Sequence, residues 1–273
     1  MNVEGRAQQK GIVNVMKQEP CTAMGNLLEP SVETRLDPAS RRALIAAKAR
    51  KDPTAQFNNL MHHLSPDLVV ENLNRMCKTT APGHDGMTVK QAKENLSWLL
   101  PPLLSQINKG QYVAPPVKRV LIPKADGKQR PIGVPQVLDR SIQASMAQVL
   151  DEIYEQDFLS SSFGFRPGLG CHHAVATINE LMGKSKLNYA LEVDIRDFFG
   201  SLSHEWLRKF LELRIQDQRV LKLIDSWLKA GVMDKGMWQS TEIGTPQGGS
   251  ISPLLANIYL HYVLDLWFEK KIR

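Results

Sequence analysis

The sequence has little cysteine. Its three cysteines, Cys21, Cys77 and Cys171, are odd in number and far apart. They make neither a disulfide framework nor a metal knuckle, so a reducing cytoplasm is the expected setting. The chain also lacks any apolar run near the roughly 18 residues that a bilayer span needs. Its first residues, MNVEGRAQQKGIV, have no apolar stretch of signal-peptide type, and no membrane partner is expected. There is no internal repeat and no low-complexity tract. Wholesale disorder is excluded as well, because 42% of the 273 residues are apolar and 23% charged, near the globular average.

What is present is a mild excess of positive charge. Lys and Arg number 34 against 28 Asp and Glu, a net +6. That is compatible with a polyanionic partner without establishing one. Residues 115–131, PPVKRVLIPKADGKQRP, hold Lys118, Arg119, Lys124, Lys128 and Arg130 against Asp126 alone, a local net charge of +4. Five of the twelve residues in 40–51 (SRRALIAAKARK) are also Lys or Arg, on either a solvated helical face or a phosphate-contacting arm.

The patterning predicts an α+β chain. Residues 1–39 show no sustained period and read as a poorly ordered extension. Apolar positions between Gln56 and Cys77, broken at Ser65-Pro66, predict two short helices, with Ser65 as N-cap of the second. A helix is expected over 88–108. Val117–Pro123 and Gln129–Val134 read as strands joined by an Asp126-Gly127 turn, which puts Pro131 at an edge or a strand end. Ile142, Met146, Leu150 and Ile153 give a helical period across 137–157. Residues 188–195, NYALEVDI, alternate as a strand does. Helices are expected within 203–230, ended by Gly231, and over 253–271 behind Ser252-Pro253. Long helices between separated strands argue against a doubly wound sheet.

Four segments carry candidate chemistry. Asp194 closes the apolar alternation, where a carboxylate suits a hard divalent cation; a helix cap or turn former is the plainer reading. Residues 244–253, GTPQGGSISP, place two glycines where backbone can approach a ligand closely. Lys124 and Arg130 flank the tip of a basic hairpin and could clamp a triphosphate, or simply be solvated there. Phe163-Gly164-Phe165-Arg166-Pro167-Gly168 offers aromatics and an arginine, for stacking on bases or for packing beneath a loop. The adjacent His172 and His173 diverge too far on a helix to share one metal ion, and read as surface residues.

Taken in order, G-x-D-G (83–86), Q-R-P-I-G (129–133), F-G-F-R-P-G (163–168), V-D-I-R-D-F-F (193–199) and G-T-P-Q-G-G-S-I-S-P-L-L-A-N-I-Y-L (244–260) resemble the successive blocks of group II intron-encoded reverse transcriptase/maturases. The resemblance covers roughly residues 55–273. It implies a right-hand polymerase, with 1–55 an N-terminal extension, 56–185 the fingers and 186–273 an incomplete palm. The implied reaction is DNA synthesis from deoxynucleoside triphosphates on an RNA template with a DNA primer, under two Mg2+ ions. Binding of intron RNA and help in its splicing are implied as well. By position, Asp194 is the first metal carboxylate, with the Ile195 carbonyl as a further metal ligand. Phe199 lies beneath the incoming sugar, Gln247 lies near the nucleotide, and Lys124 and Arg130 hold the triphosphate. Lys118, Arg119, Lys128 and Arg166 are expected on RNA.

The sequence departs from this pattern in one large respect. The family's next block, Tyr-Ala-Asp-Asp, carries the remaining metal carboxylates and is not among these residues. The chain therefore reads as truncated and inactive alone, to be completed by a second polypeptide, or else as a non-catalytic RNA-binding fragment. Two smaller departures are His84, where an apolar residue is frequent, and Gly200, where an acidic residue is common.

Overall fold

The computed structural model describes residues 37–272 apart from 124–126, 128, 185–188, 242 and 246–247. Most of the expected N-terminal extension, residues 1–36, lies outside them. Helix α1 (Pro38–Lys51) starts at Asp37, whose Oδ1 accepts from the amides of Ala39 (2.9 Å) and Ser40 (3.0 Å), with Pro38 in the first turn. The helix is basic but not merely solvated. It buries Ile45 and Ala49 in the main core, lays Lys48 4.9 Å over the Phe57 ring, and Arg50 donates to Gln156.

Helix α2 (Pro66–Arg75) is capped as its sequence predicts, the Ser65 hydroxyl accepting from Leu68 N at 3.2 Å. The helix expected over 88–108 is instead two, α3 (Val89–Glu94) and α4 (Leu96–Asn108). Between them Asn95 leaves the helical region at φ −103°, ψ 7°, and its side chain accepts from Trp98 Nε1 at 3.2 Å. An asparagine that bonds locally competes with the helix ladder, which explains the break.

Helix α5 (Val137–Tyr154) buries 13 of its 18 residues, too many for a surface helix, and α1, α2 and later elements pack around it. Several of its buried polar groups are paired, although Gln143 Oε1 and Tyr154 Oη have no hydrogen-bond partner. Ser141 Oγ donates to Val69 O (2.6 Å) and Asn72 Nδ2 to Ser145 Oγ (3.0 Å). Asp151 is less well placed. Burial, reinforced by Glu155 and Glu152, pushes its carboxyl from the ordinary 3.8 up to about 7. A carboxyl raised in the fold stabilises it below the unfolded value, and that contribution is lost as pH rises from about 4 to about 7. Asp151→Asn is therefore expected to stabilise the chain at pH 8 by roughly 2–4 kcal/mol, with little effect at pH 4. Urea unfolding at the two pH values checks this.

Strands β1 (Val117–Pro123) and β2 (Gln129–Val134) pair antiparallel within the expected bounds, Pro131 opposite Leu121. The sheet order is β2-β1-β3-β4, so Pro131 lies on an edge strand, where a missing N–H is tolerated. Strands β3 (Val232–Asp234) and β4 (Met237–Gln239) form a second hairpin, and β3 runs parallel to β1. Beyond the sheet are α6 (Cys171–Lys184), the single turn α7 (Phe198–Ser201), α8 (His204–Glu212) and α9 (Gln218–Leu228). The C-terminal helix runs through α10 (Ser252–Leu260), a π turn (His261–Asp265) and α11 (Leu266–Lys271). Residues 37–273 form one compact unit of α+β architecture. Among the described residues no helix is long and apolar enough to cross a membrane.

The strand expected over 188–195 does not form. Residues 189–195 belong to no element; Tyr189, Leu191 and Val193 are 95%, 91% and 76% exposed. Alternation creates a strand only where a neighbouring strand takes its backbone groups, and none of the described strands pairs with this segment.

Candidate active site

The site is assembled where the turn after Asp194 meets the loop before α10. Asp197 starts α7 with φ 45° and ψ 46°, and its carbonyl accepts from Gly200 N (3.1 Å) and Ser201 N (3.0 Å). That turn directs Phe198 toward the core, where its ring meets Tyr259 edge-on with centroids 6.1 Å apart. Phe199 stays half-buried, edge-on to Phe198 at 5.7 Å. The two rings diverge because they occupy successive positions of a helical turn.

The loop is stapled to this turn through its backbone. Thr245 N donates to Phe199 O at 2.8 Å, Gly244 N donates to Leu202 O at 2.8 Å, and His204 Nε2 pairs with Gly244 O. Gly244 has φ +84°, and a Cβ there would stand 2.7 Å from Phe199 O. Only glycine allows this approach without a shift of backbone. Thr245 Oγ1 then donates to the buried Ser252 Oγ at 2.9 Å, tying the loop to the start of α10. The far end of the loop closes on β2, since a Cβ at Gly248 would lie 2.6 Å from Gly133 O. Three segments singled out in the sequence, 129–134, 193–199 and 244–252, thus meet around one cleft of about 350 Å³, lined by Arg119, Gly133, Asp197, Gly244 and Thr245 among others.

The individual site residues fare differently. Asp194 and Ile195 lie in the unpaired 189–195 segment, both exposed, and Asp194 does not line the cleft. Among the described residues no three His, Cys, Asp or Glu side chains gather to hold a metal ion. Asp194 and the Ile195 carbonyl are therefore not a complete ligand set for a pair of dications, which need several anionic donors. Lys124, Lys128 and Gln247 lie outside the described residues. Arg130 is exposed on β2 opposite Ile122, and Lys118 is exposed on β1. Arg119 ion-pairs with Asp234 at 3.1 Å across β1 and β3.

Arg166 is a correction. It was expected on RNA, but its guanidinium is used internally. Nε and Nη2 reach Glu155 (3.1 and 2.9 Å), while Nη1 donates to Leu159 O and Ser162 O (both 2.8 Å). The side chain is 9% exposed and stacks over Phe158. It pins the 163–168 turn, which Asn257 Nδ2 also holds through Gly164 O at 2.7 Å. His172 and His173 are exposed, as expected.

Sequence reasoning missed Asp139. It is buried on α5 and accepts from Tyr112 Oη (2.7 Å), Trp227 Nε1 (2.8 Å) and Gln143 Nε2 (2.9 Å), joining the approach to β1, α5 and α9 directly beneath the loop. Burial raises its carboxyl above the ordinary value, with the three donors opposing the rise. The available signal was an acid directly after the apolar Val137-Leu138 start of α5.

The family model described as "Reverse transcriptase (RNA-dependent DNA polymerase)" matches residues 122–272. "Protein YkfC" of Escherichia coli K12 is 34% identical over 240 residues, covering 84% of this chain and 63% of that protein. "Group II intron-encoded protein LtrA" of Lactococcus lactis subsp. cremoris is 39% identical over 169 residues, covering 60% of this chain and 28% of that protein. "Putative COX1/OXI3 intron 1 protein" of Saccharomyces cerevisiae is 31% identical, covering 79% of this chain and 26% of that protein. The chain thus spans less than two thirds of the length of these relatives. It belongs to the reverse transcriptase (RNA-dependent DNA polymerase) family, and its relatives include a group II intron-encoded protein and a protein of a yeast intron.

Proposed function

We propose that the chain supplies the fingers (56–185) and the opening of the palm (186–273) of an RNA-directed DNA polymerase that copies RNA from a DNA primer and also binds its intron RNA. The observation that carries this reading is the backbone staple between 199–202 and 244–245 beside the cleft. It holds the half-buried face of Phe199 against a loop whose glycine and threonine backbone leaves room for a nucleotide. Lys118 and Arg130 are exposed on the β1–β2 hairpin that borders the cleft, so a polyanion approaching it meets positive charge.

The family generally uses divalent metal ions. Within this proposal Asp194 and the Ile195 carbonyl contribute oxygen donors, and further carboxylates come from palm residues not in this sequence, on a continuing chain or a second polypeptide. The exposed Asp194 segment also favours a second reading, in which the 273 residues bind intron RNA without polymerising.

Primer extension separates the readings. The 273-residue chain is expected to give no extension on an RNA template with Mg2+ and deoxynucleotides. Adding a polypeptide with the rest of the palm should restore it, and Asp194→Ala should abolish it again. Extension by the chain alone would contradict the incomplete ligand set; none after complementation would leave only the RNA-binding reading. RNA affinity should fall with salt in both cases, and replacing Lys118 and Arg130 by Gln should flatten the log–log slope by roughly 0.7 per lost phosphate contact.

A further inference from the structure

The peptide unit that joins Gly244 to Thr245 is gripped at both ends. Its N–H, on Thr245, donates to Phe199 O at 2.8 Å. Its carbonyl, on Gly244, is met by a side chain, His204 Nε2. A carbonyl accepts and does not donate, so this ring nitrogen carries the proton. One bond further back, Gly244 N donates to Leu202 O at 2.8 Å. Three of the four contacts that could hold this stretch are thus made from residues 199–204, and the one on the carbonyl depends on a single side chain.

The local sequence explains why a side chain serves there. Ser203 caps α8: its hydroxyl accepts from Trp206 N at 3.4 Å, and its carbonyl accepts from Leu207 N at 3.0 Å. The chain therefore turns into a helix at residue 204. The N–H groups of a first helical turn point along the axis, not sideways to a neighbouring loop. His204, the first residue of α8 and half-buried, reaches the loop with its ring instead.

Gly244 does not fix its own orientation. With φ +84° and no side chain it is a permissive joint. Bulk cannot stiffen it, since a Cβ would stand 2.7 Å from Phe199 O and 2.8 Å from Gly200 O. The Gly244 carbonyl and the Thr245 N–H belong to one rigid plane, so a rotation that frees either group frees both. Gly244 and Thr245 line the cleft, which makes this plane part of its wall.

We propose that His204 is a positioning residue that locks the Gly244–Thr245 peptide plane and so sets the wall that the cleft presents to a nucleotide. His204 is not among the residues lining the cleft, and it acts through Gly244. The consequence for a nucleotide rests on the function proposed above; the lock itself does not.

Two measurements on the 273-residue chain test the lock and its consequence separately. The first is residue-resolved amide hydrogen exchange. His204→Ala should speed exchange at Gly244 and Thr245 roughly five- to tenfold, the effect of losing one hydrogen bond that opposes local opening. The Leu207 amide, bonded to Ser203 O within α8, should be unchanged and serves as the control for folding of that helix. His204→Gln places an amide nitrogen about as far from the backbone as Nε2 and should restore most of the protection. His204→Asn, which stops short, should not. A side chain that merely fills space would not separate the two amides by their reach. Unchanged exchange in His204→Ala, or rescue by Asn as full as by Gln, would overturn the lock.

The second measurement is the affinity of the same variants for a deoxynucleoside triphosphate. His204→Ala should weaken binding about fivefold, because the unlocked plane presents the competent wall for a smaller fraction of the time. Gln should recover the affinity and Asn should not. Faster exchange with unchanged affinity would leave the lock standing and overturn its role toward the nucleotide. Failure of the wild type to bind the nucleotide would show that the nucleotide reading of the cleft itself fails, and that role with it, while exchange still decides the lock.

Discussion

Arg214→Ala is expected to destabilise the chain by about 3–5 kcal/mol, the range for removing one partner of a buried ion pair. Arg214 is 2% exposed and lies 3.2 Å from Asp157 Oδ2, itself 11% exposed. That contact is Coulombic rather than a directed hydrogen bond, because Nε is not aimed at the oxygen. The guanidinium is anchored by Asp52 O (3.2 Å) and Ala49 O (3.5 Å), the carbonyls at the C-terminus of α1, and it lies 5.8 Å from the Phe57 ring centroid. One side chain thus fixes α1 to the end of α8 and to the residues after α5. Its loss leaves two carbonyls and a carboxylate without compensation. Burial already raises the Asp157 carboxyl against the opposing pull of Arg214, so removing the arginine raises it further. A raised carboxyl is tolerated when protonated, so the loss should be smaller at pH 5 than at pH 8. Denaturant unfolding at both pH values reads the result. A loss under about 1 kcal/mol would mean that α1 is held by Ile45 and Ala49 alone.

Arg214 also shows where sequence reading stops. Local signals were legible wherever the cause is local. The Ser65-Pro66 start of α2, the two strands of 117–134 and the helix over 137–154 follow from caps, turn residues and periodicity. The second hairpin, β3–β4, was missed although Lys235-Gly236 between short apolar runs is a turn signal, because three-residue strands give alternation too little length to show. The burial of Arg214 and Asp139 is set by partners far along the chain, Asp157 and Trp227 among them, and no spacing rule reports that. The strand over 188–195 failed for the converse reason: its pattern is correct, and pairing is a property of a neighbour. For the site, the resemblance of five ordered blocks located the right segments. It did not foresee that Arg166 would be consumed internally, or that Asp197 rather than Asp194 would line the cleft.

Phe199→Val should relax sugar selection by roughly two orders of magnitude in the polymerase completed with its remaining palm, a loss of some 3 kcal/mol of steric discrimination. Under the proposed function the half-buried Phe199 ring lies beneath the incoming deoxyribose, where a 2′-hydroxyl would strike it. The Thr245 N–Phe199 O bond is a backbone contact, so the substitution should leave the loop in place while shortening the wall. Phe198→Val should behave in the opposite way. Its ring packs with Tyr259, which in turn meets Phe210 at 5.4 Å, so its truncation removes apolar contacts of the core and should cost about 1–2 kcal/mol of stability with sugar selection unchanged. The measurement is the ratio of ribonucleotide to deoxyribonucleotide incorporation for each variant, alongside its unfolding midpoint. The α7 turn makes the two outcomes separable, since successive residues on a helix diverge by about 100° and cannot share one face. If Phe198→Val relaxes selection and Phe199→Val does not, the ring facing the sugar is the other one. The roles assigned to Asp194, Ile195 and Phe199 would then have to be reassigned.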